Sequence, residues 1–300
     1  MEYGISQETY MDTIHIPDSK SKKWNDTLYS PIQNSIKNIL DKDLVGNKNT
    51  MVYIGPGPDS PLFNGNKESN NIIGRFSKVI LLDLSKKYLE KSKQTLEEKY
   101  KNTEFVVYPY DITHGLSNKF YNLVRYIISE RDDYDIIIQL IDREYKTIIN
   151  ESNALYDILK NEKIDFAYSE MVATYTGVPS LYEYEKNTKS PFDDNKCLLD
   201  IWKYYNDKVA TFHFENMLNL VSVDGLVSIV TDIEKIFTSE DKKIISVFSN
   251  GNPLKNINVF ANKIFIDENI LWDDTVRHDN EFLASIEPHL HRVGLYAYSR

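Results

Sequence analysis

An apolar run, Met51-Val52-Tyr53-Ile54, leads straight into Gly55-Pro56-Gly57-Pro58. Its shortness and the glycines behind it predict a strand that stops at a tight turn. A second apolar run, Val79-Ile80-Leu81-Leu82, ends in Asp83, with Leu84 behind it. A glycine turn after one strand and a carboxylate after the next is how an α/β domain grips a nucleoside. The glycines let the backbone approach the ligand, and the acid takes the ribose hydroxyls.

The chain around these runs alternates in period. From Trp24 to Leu40 the residues Leu28, Ile32, Ile36, Ile39 and Leu40 recur at helical spacing. Ser85 to Tyr100 predicts a helix with Ser85 as N-cap and Leu89 and Leu96 on one face. Glu104 to Val107 predicts a third strand, ending near Asp111, and residues 116–160 are rich in helical pattern. Lys163 to Met171 predicts the next strand, and Asp207 to Val221 a helix burying Phe212, Met217 and Leu220. Gly225 to Thr231, Lys243 to Phe248 and Arg292 to Tyr298 predict the remaining strands. The run Asp135 to Ile141 fits a buried strand or a helical turn; helical spacing from Tyr134 to Ile149 favours the helix. Residues 1–22 are polar with little periodicity and predict an arm or loop. Strands alternating with helices predict an α/β fold with a mostly parallel sheet.

Composition excludes several function classes. At 300 residues, 41% hydrophobic and 27% charged, the chain suits a soluble domain with additions. No apolar run reaches membrane-spanning length, and no signal peptide is read at the N-terminus, so neither a membrane nor secretion is expected. Cys197 is the only cysteine, which rules out an internal disulfide and predicts a cytoplasmic home. The net charge of −10 repels a polyanion, and the basic clusters (Lys20 to Lys23, Lys86-Lys87, Lys242-Lys243) are small, so nucleic acid is not the expected partner. His289-x-His291, and Asp273-Asp274 near His278, match a metal pair only loosely. With no cysteine cluster or His-Glu-x-x-His spacing, no metal is expected. The sequence does not indicate an oligomeric state.

Two nucleoside ligands use a glycine turn of this kind. A dinucleotide needs a helix directly after the turn to receive its pyrophosphate, and a third glycine three residues on. Here that third position is Ser60, Asp59 puts negative charge beside it, and Pro61 to Asn66 is a poor helix. S-adenosylmethionine carries no phosphate. The order of Gly55-Pro56-Gly57, Asp83 and then Asp111-Ile112 resembles the class I S-adenosylmethionine-dependent methyltransferases over roughly residues 50–235. The resemblance implies a seven-stranded, mostly parallel Rossmann-like sheet with flanking helices. It also implies an N-terminal helical arm over residues 1–45 and a cofactor domain over 46–300 with inserted segments near 116–160 and 174–206. It implies S-adenosylmethionine as cofactor and S-adenosylhomocysteine as product, held by Tyr53, Gly55, Pro56, Gly57, Pro58, Asp83, Leu84, Asp111, Ile112 and Ser169. The chain departs from the family at Tyr53, where an acid is frequent, and in its longer interval from Gly57 to Asp83. Each site residue also has a plainer role: Gly55 and Gly57 in a tight turn, Asp83 at a helix N-terminus, Asp111 capping the turn before Thr113.

By the same resemblance, the fourth strand Asp165 to Met171 ends facing the methyl group, which makes Glu170 the candidate catalytic acid or base. Tyr168 shares that location, and Tyr175 and Tyr29 are further candidates for the substrate side. Residues 174–205 carry many aromatics between Gly177, Pro179 and Pro191, a composition that fits a substrate lid or the core of the next helix. His213 fits a buried helix histidine better than a catalytic one. The expected reaction is methyl transfer to a small molecule or a protein. The alternatives are aminopropyl or aminocarboxypropyl transfer on the same scaffold, and a catalytically inactive binding subunit.

Overall fold

The structure is a computed structural model that describes residues 14–15, 28–43, 49–56, 71–130, 134–151, 158–172, 176–237, 243–251, 253–254, 262–273, 277–278 and 289–300. In chain order the first elements are β1 (Ile14–His15), α1 (Ser30–Asp43), β2 (Thr50–Ile54), β3 (Lys78–Asp83), α2 (Lys86–Lys99), β4 (Glu104–Pro109), α3 (Leu116–Glu130) and α4 (Tyr134–Glu151). They continue with β5 (Ile164–Glu170), α5 (Val178–Thr188), α6 (Lys196–Leu220), β6 (Val221–Phe237), β7 (Ile244–Ser246), β8 (Asn262–Asp273), β9 (Arg277–His278) and β10 (His289–Ser299).

Every residue of β2 is buried, which requires neighbours on both edges and cover on both faces. Both are present. The main sheet runs β4-β3-β2-β5-β6-β10-β8, with β7 added beside β6. The pairs from β4 to β6 are parallel, and those made by β10 and β7 are antiparallel. This is the α/β, Rossmann-like, mostly parallel sheet that the sequence predicts. Period-two alternation splits β2 between two cores. Met51 and Tyr53 join Ile32, Ile36 and Leu40 of α1 and Leu89 and Leu96 of α2. Val52 and Ile54 join Phe120 and Val124 of α3, Ile141 of α4, and Phe214 and Met217 of α6.

Sequence order reverses between β2 and β5. From β2 the chain steps outward through β3 and β4, then returns to place β5 on the other side of β2. In an open α/β sheet the crevice above such a reversal, outside the carboxyl ends of the strands, is where ligands bind. The reversal is pinned from below. Asp165, near the start of β5, accepts the backbone N–H groups of Asn49 at 2.8 Å and Thr50 at 3.1 Å through Oδ2.

The run from Asp135 lies in helix α4, as its helical spacing favours. Several other elements differ from expectation. Helix α6 begins at Lys196 rather than Asp207, because Asn195 caps it by accepting from the N–H of Leu198. Strand β6 continues past Thr231 to Phe237, extended by β7 and β10. Strand β8 makes an edge that no alternation announced and is the eighth strand of a sheet expected to have seven, whereas β7 falls within the predicted run Lys243 to Phe248. Within the stretch read as an arm, Ile14 and His15 pair antiparallel with His278 and Arg277. No helix among the described residues is long and apolar enough to cross a membrane.

Candidate functional site

The crevice is bounded first by Gly55, which leaves β2 at a φ of +71° and donates its N–H to Leu82 O at 2.9 Å. That dihedral lies in the left-handed region that glycine alone enters without strain. A Cβ at Gly55 would also lie 2.1 Å from Val172 Cγ2 and 3.0 Å from the carbonyl oxygen of Glu170. The chain leaving β5 therefore presses directly on the turn leaving β2. Pro56 is buried, while Gly57 and Pro58, and with them Asp59 and Ser60, lie outside the described residues.

The next two strands end in the two acids. Asp83 is half-buried at the carboxyl end of β3; its Oδ1 accepts the N–H of Ser85 at 3.0 Å, and its backbone oxygen accepts the N–H of Tyr110 at 2.8 Å. Leu84 follows it, half-buried, and Ser85 caps α2 by accepting from Tyr88 N. Asp111, one strand over, organises its own loop. Oδ1 accepts from Thr113 N at 2.9 Å and Thr113 Oγ1 at 2.6 Å, and Oδ2 accepts from Gly115 N at 2.9 Å. Ile112 is buried beneath it. The loop is tied onward, since Thr113 Oγ1 accepts from Ser117 N, and Ser117 Oγ shares a hydrogen bond of 2.7 Å with Tyr205 Oη.

Across the reversal, β5 presents its last three residues to opposite faces. Tyr168 lies beside Tyr53 in register, their ring centroids 5.1 Å apart and tilted by 55°. The Tyr53 hydroxyl donates to Oε2 of Glu170. Tyr29, at the entry to α1, is within electrostatic reach of both phenols. Burial pushes the pKa of Tyr53 and Tyr168 well up, with the Glu170 carboxylate adding to the effect, so both phenols stay protonated at neutral pH. Of the candidates from different parts of the sequence, Tyr53 and Tyr168 thus meet Glu170, and Tyr29 meets the two phenols.

Ser169 turns the other way, sharing a buried hydrogen bond of 2.7 Å with His213 Nε2. Burial lowers the His213 pKa from 6.5 to about 3, so the folded protein holds the imidazole neutral. Unfolded His213 takes up a proton below pH 6.5 that the folded state refuses. Its stabilising contribution is therefore complete above pH 6.5 and is lost as the pH falls toward 3. The slope reaches up to about 1.4 kcal/mol per pH unit. Glu185 tilts the other way: burial raises it from 4.5 to about 7, so its contribution is complete below 4.5 and is lost as the pH rises through 7. His213→Gln keeps a neutral hydrogen-bonding head and removes only the first slope. Urea unfolding of both proteins from neutral to acid pH is expected to show a stability difference that shifts in favour of the variant as the pH falls. A constant difference contradicts a neutral, buried His213.

The aromatic stretch resolves as packing. Tyr182, Tyr184, Phe192, Trp202 and Tyr205 are buried, with Phe192 against Trp202 at a centroid separation of 5.3 Å and Phe120 stacked on Tyr205 at 4.2 Å. Tyr175 lies outside the described residues. His291 Nδ1 lies 3.0 Å from Asp232 Oδ2, and among the described residues no group of three or more His, Cys, Asp or Glu side chains is arranged to hold a metal. Sequence reasoning did not find Val172 against Gly55, nor the Ser117–Tyr205 tie behind Asp111. No local signal marks either, because both depend on contacts between distant segments.

No protein-family model matches the chain, and no curated protein matches its sequence. Among solved structures it is similar to a SAM-dependent methyltransferase from Leishmania major at 10% identity and a TM-score of 0.47, covering 99% of this chain and 82% of that one. It is similar to an S-adenosylmethionine-dependent methyltransferase from Clostridium acetobutylicum at 9% identity and a TM-score of 0.42, covering 94% and 98%. A third similar structure is an rRNA methylase from Streptococcus thermophilus, at 10% identity and a TM-score of 0.36, covering 90% and 96%. At this level the likenesses carry no residue correspondence.

Proposed function

We propose that this chain is an S-adenosylmethionine-dependent methyltransferase acting on a small-molecule or protein acceptor. The observation that carries the reading is the placement of the Gly55 turn, Asp83 and the Asp111 loop at the carboxyl ends of β2, β3 and β4, beside the point where strand order reverses. A nucleoside laid along that edge puts its ribose hydroxyls at Asp83. Its adenine lies on the loop that Asp111 holds, with Ile112 and the loop backbone as the contacting groups. The cofactor, when bound, supplies the electrophilic methyl group on its sulfonium. The thioether that leaves is neutral, so the protein's task is in-line positioning of the acceptor rather than proton transfer. Glu170 fits that economy, because its carboxylate accepts from the Tyr53 hydroxyl and serves to hold the end of β5. A lone cysteine, Cys197, suits a reducing cytoplasm, and the net charge of −10 disfavours a nucleic-acid acceptor.

Transfer of an aminopropyl or aminocarboxypropyl group is the second reading, favoured by the acid and tyrosines beside the crevice. The test of the first is titration calorimetry of the full chain with S-adenosylmethionine, S-adenosylhomocysteine and NAD. Micromolar binding of the first two and none of the third is expected. Binding of NAD alone would sink the proposal.

A further inference from the structure

We propose that Glu185, Asp193 and Lys235 form a proton-operated latch, which closes the turn after α5 against the far end of β6 while Glu185 keeps its proton and releases that turn when the proton leaves. The latch is independent of which cofactor the crevice takes.

Its parts meet from three directions. Glu185 lies in the last turn of α5, Asp193 in the single helical turn Phe192–Asp194, and Lys235 near the end of β6. Oε1 of Glu185 accepts the backbone N–H of Phe192 at 3.1 Å, which bridges the turn between the two helical pieces. Lys235 Nζ stands 3.7 Å from Asp193 Oδ2 and lies over the rings of Phe192 and Phe237, 5.3 and 5.0 Å from their centroids. All three are withdrawn from water: Glu185 is 8% exposed, and the side chains of Asp193 and Lys235 are 6% and 13% exposed.

Two carboxyl groups thus share one ammonium group. Asp193 Oδ2 is buried without a hydrogen bond, since 3.7 Å to Lys235 is too long for one. With both acids ionised the cluster holds one uncompensated negative charge, which a buried site disfavours. One proton kept on Glu185 removes it. Burial pushes Glu185 up, the Phe192 N–H and the Lys235 charge oppose the rise, and the Asp193 charge adds to it, leaving the carboxyl at about 7. Among the described residues, α3 packs against α5 and α6 against the turn, and neither brings a charged group that acts on Glu185. The latch is therefore closed in mild acid and opens as the pH rises through 7. The turn is built to move once released. Lys189 ends α5 at a φ of +55°, a left-handed conformation that is costly for a residue with a Cβ and persists only where neighbouring contacts impose it. An ionised Glu185 relieves its burial by swinging into water, and Phe192 N then loses its acceptor. The other end of α5 borders the crevice: Val172 stands against the Gly55 turn, the N–H of Thr176 donates to Val172 O at 3.2 Å, and α5 starts at Val178. Release at the far end loosens the hold on that segment.

Trp202 reports on the latch, because its ring packs on Phe192 at a centroid separation of 5.3 Å and is buried. The test is acrylamide quenching of tryptophan fluorescence in the full chain across neutral pH. Quenching of the wild type is expected to rise with a midpoint near 7. Glu185→Gln keeps an oxygen for Phe192 N and cannot ionise, so it is expected to stay at the protected level throughout. The other tryptophans, Trp24 and Trp272, contribute equally to both proteins. The flanking charges should move the midpoint in opposite directions, each by about one pH unit. Asp193→Asn removes a repelling charge and lowers it; Lys235→Met removes an attracting one and raises it. If Lys235→Met folds poorly, Asp193→Asn carries the sign test alone. A flat wild-type profile overturns the latch, because Glu185 then titrates without moving the turn. A transition that survives in Glu185→Gln places the proton elsewhere and overturns it as well. So does a midpoint that Asp193→Asn leaves unmoved.

Discussion

Gly55→Ala is expected to lower the unfolding free energy by about 2–5 kcal/mol, the sum of a backbone term and a packing term. The first arises because Gly55 holds φ at +71°, where a Cβ crowds its own carbonyl, at about 1–2 kcal/mol. The second arises because that Cβ would stand 2.1 Å from Val172 Cγ2, at about 1–3 kcal/mol for overpacking. The flexible end of Val172 can yield, but the Glu170 carbonyl at 3.0 Å is backbone and can move only with β5. A urea midpoint shift measures the total, and Val172→Ala separates the two terms. In the double variant the packing penalty is relieved while the dihedral penalty stays, so the two changes should be less than additive. Full stability in Gly55→Ala alone would mean that the turn does not take this shape. Since the turn and the chain beyond Glu170 form one contact, the same substitution is expected to disturb ligand binding on both sides of the crevice.

The parts of the fold legible in the sequence are those whose signals are local. β2 and β3 are short apolar runs closed by a glycine and an acid, and α2 has Ser85 at its cap and Leu89 and Leu96 on its buried face. β8 was not legible, because an edge strand has one solvent-facing side and this one carries Asp267, Glu268 and Asn269 in its middle. The length of β6 was hidden for another reason: its last turns of chain are strand only because β7 and β10 arrive to pair with them. At the site, the strand ends placed Gly55, Asp83 and Asp111 at one sheet edge in advance. What each acid does there was not legible. Asp111 turns its oxygens to Thr113 and Gly115, and Glu170 reaches back to Tyr53, a residue far away in sequence. The first follows from loop geometry after β4, and the second from the register of β5 on β2. Neither is written in residue type or spacing.

Asp83→Ala is expected to weaken S-adenosylhomocysteine about a hundredfold, since two charge-assisted hydrogen bonds to ribose hydroxyls are together worth about 3 kcal/mol or more. The alanine also removes the acceptor for Ser85 N and an acid from the start of α2, so some of its effect is structural. Asp83→Asn separates the roles: its side-chain oxygen still accepts from Ser85 N, while the charge that strengthens the ribose contacts is gone. With Asn, stability should stay near the wild type and affinity should still fall by an order of magnitude or so. Methylthioadenosine and S-adenosylhomocysteine both contain the ribose, so Asp83→Asn should weaken them by the same factor. If Asp83→Asn leaves both affinities intact, Asp83 serves the turn into α2 and the nucleoside has no anchor on β3.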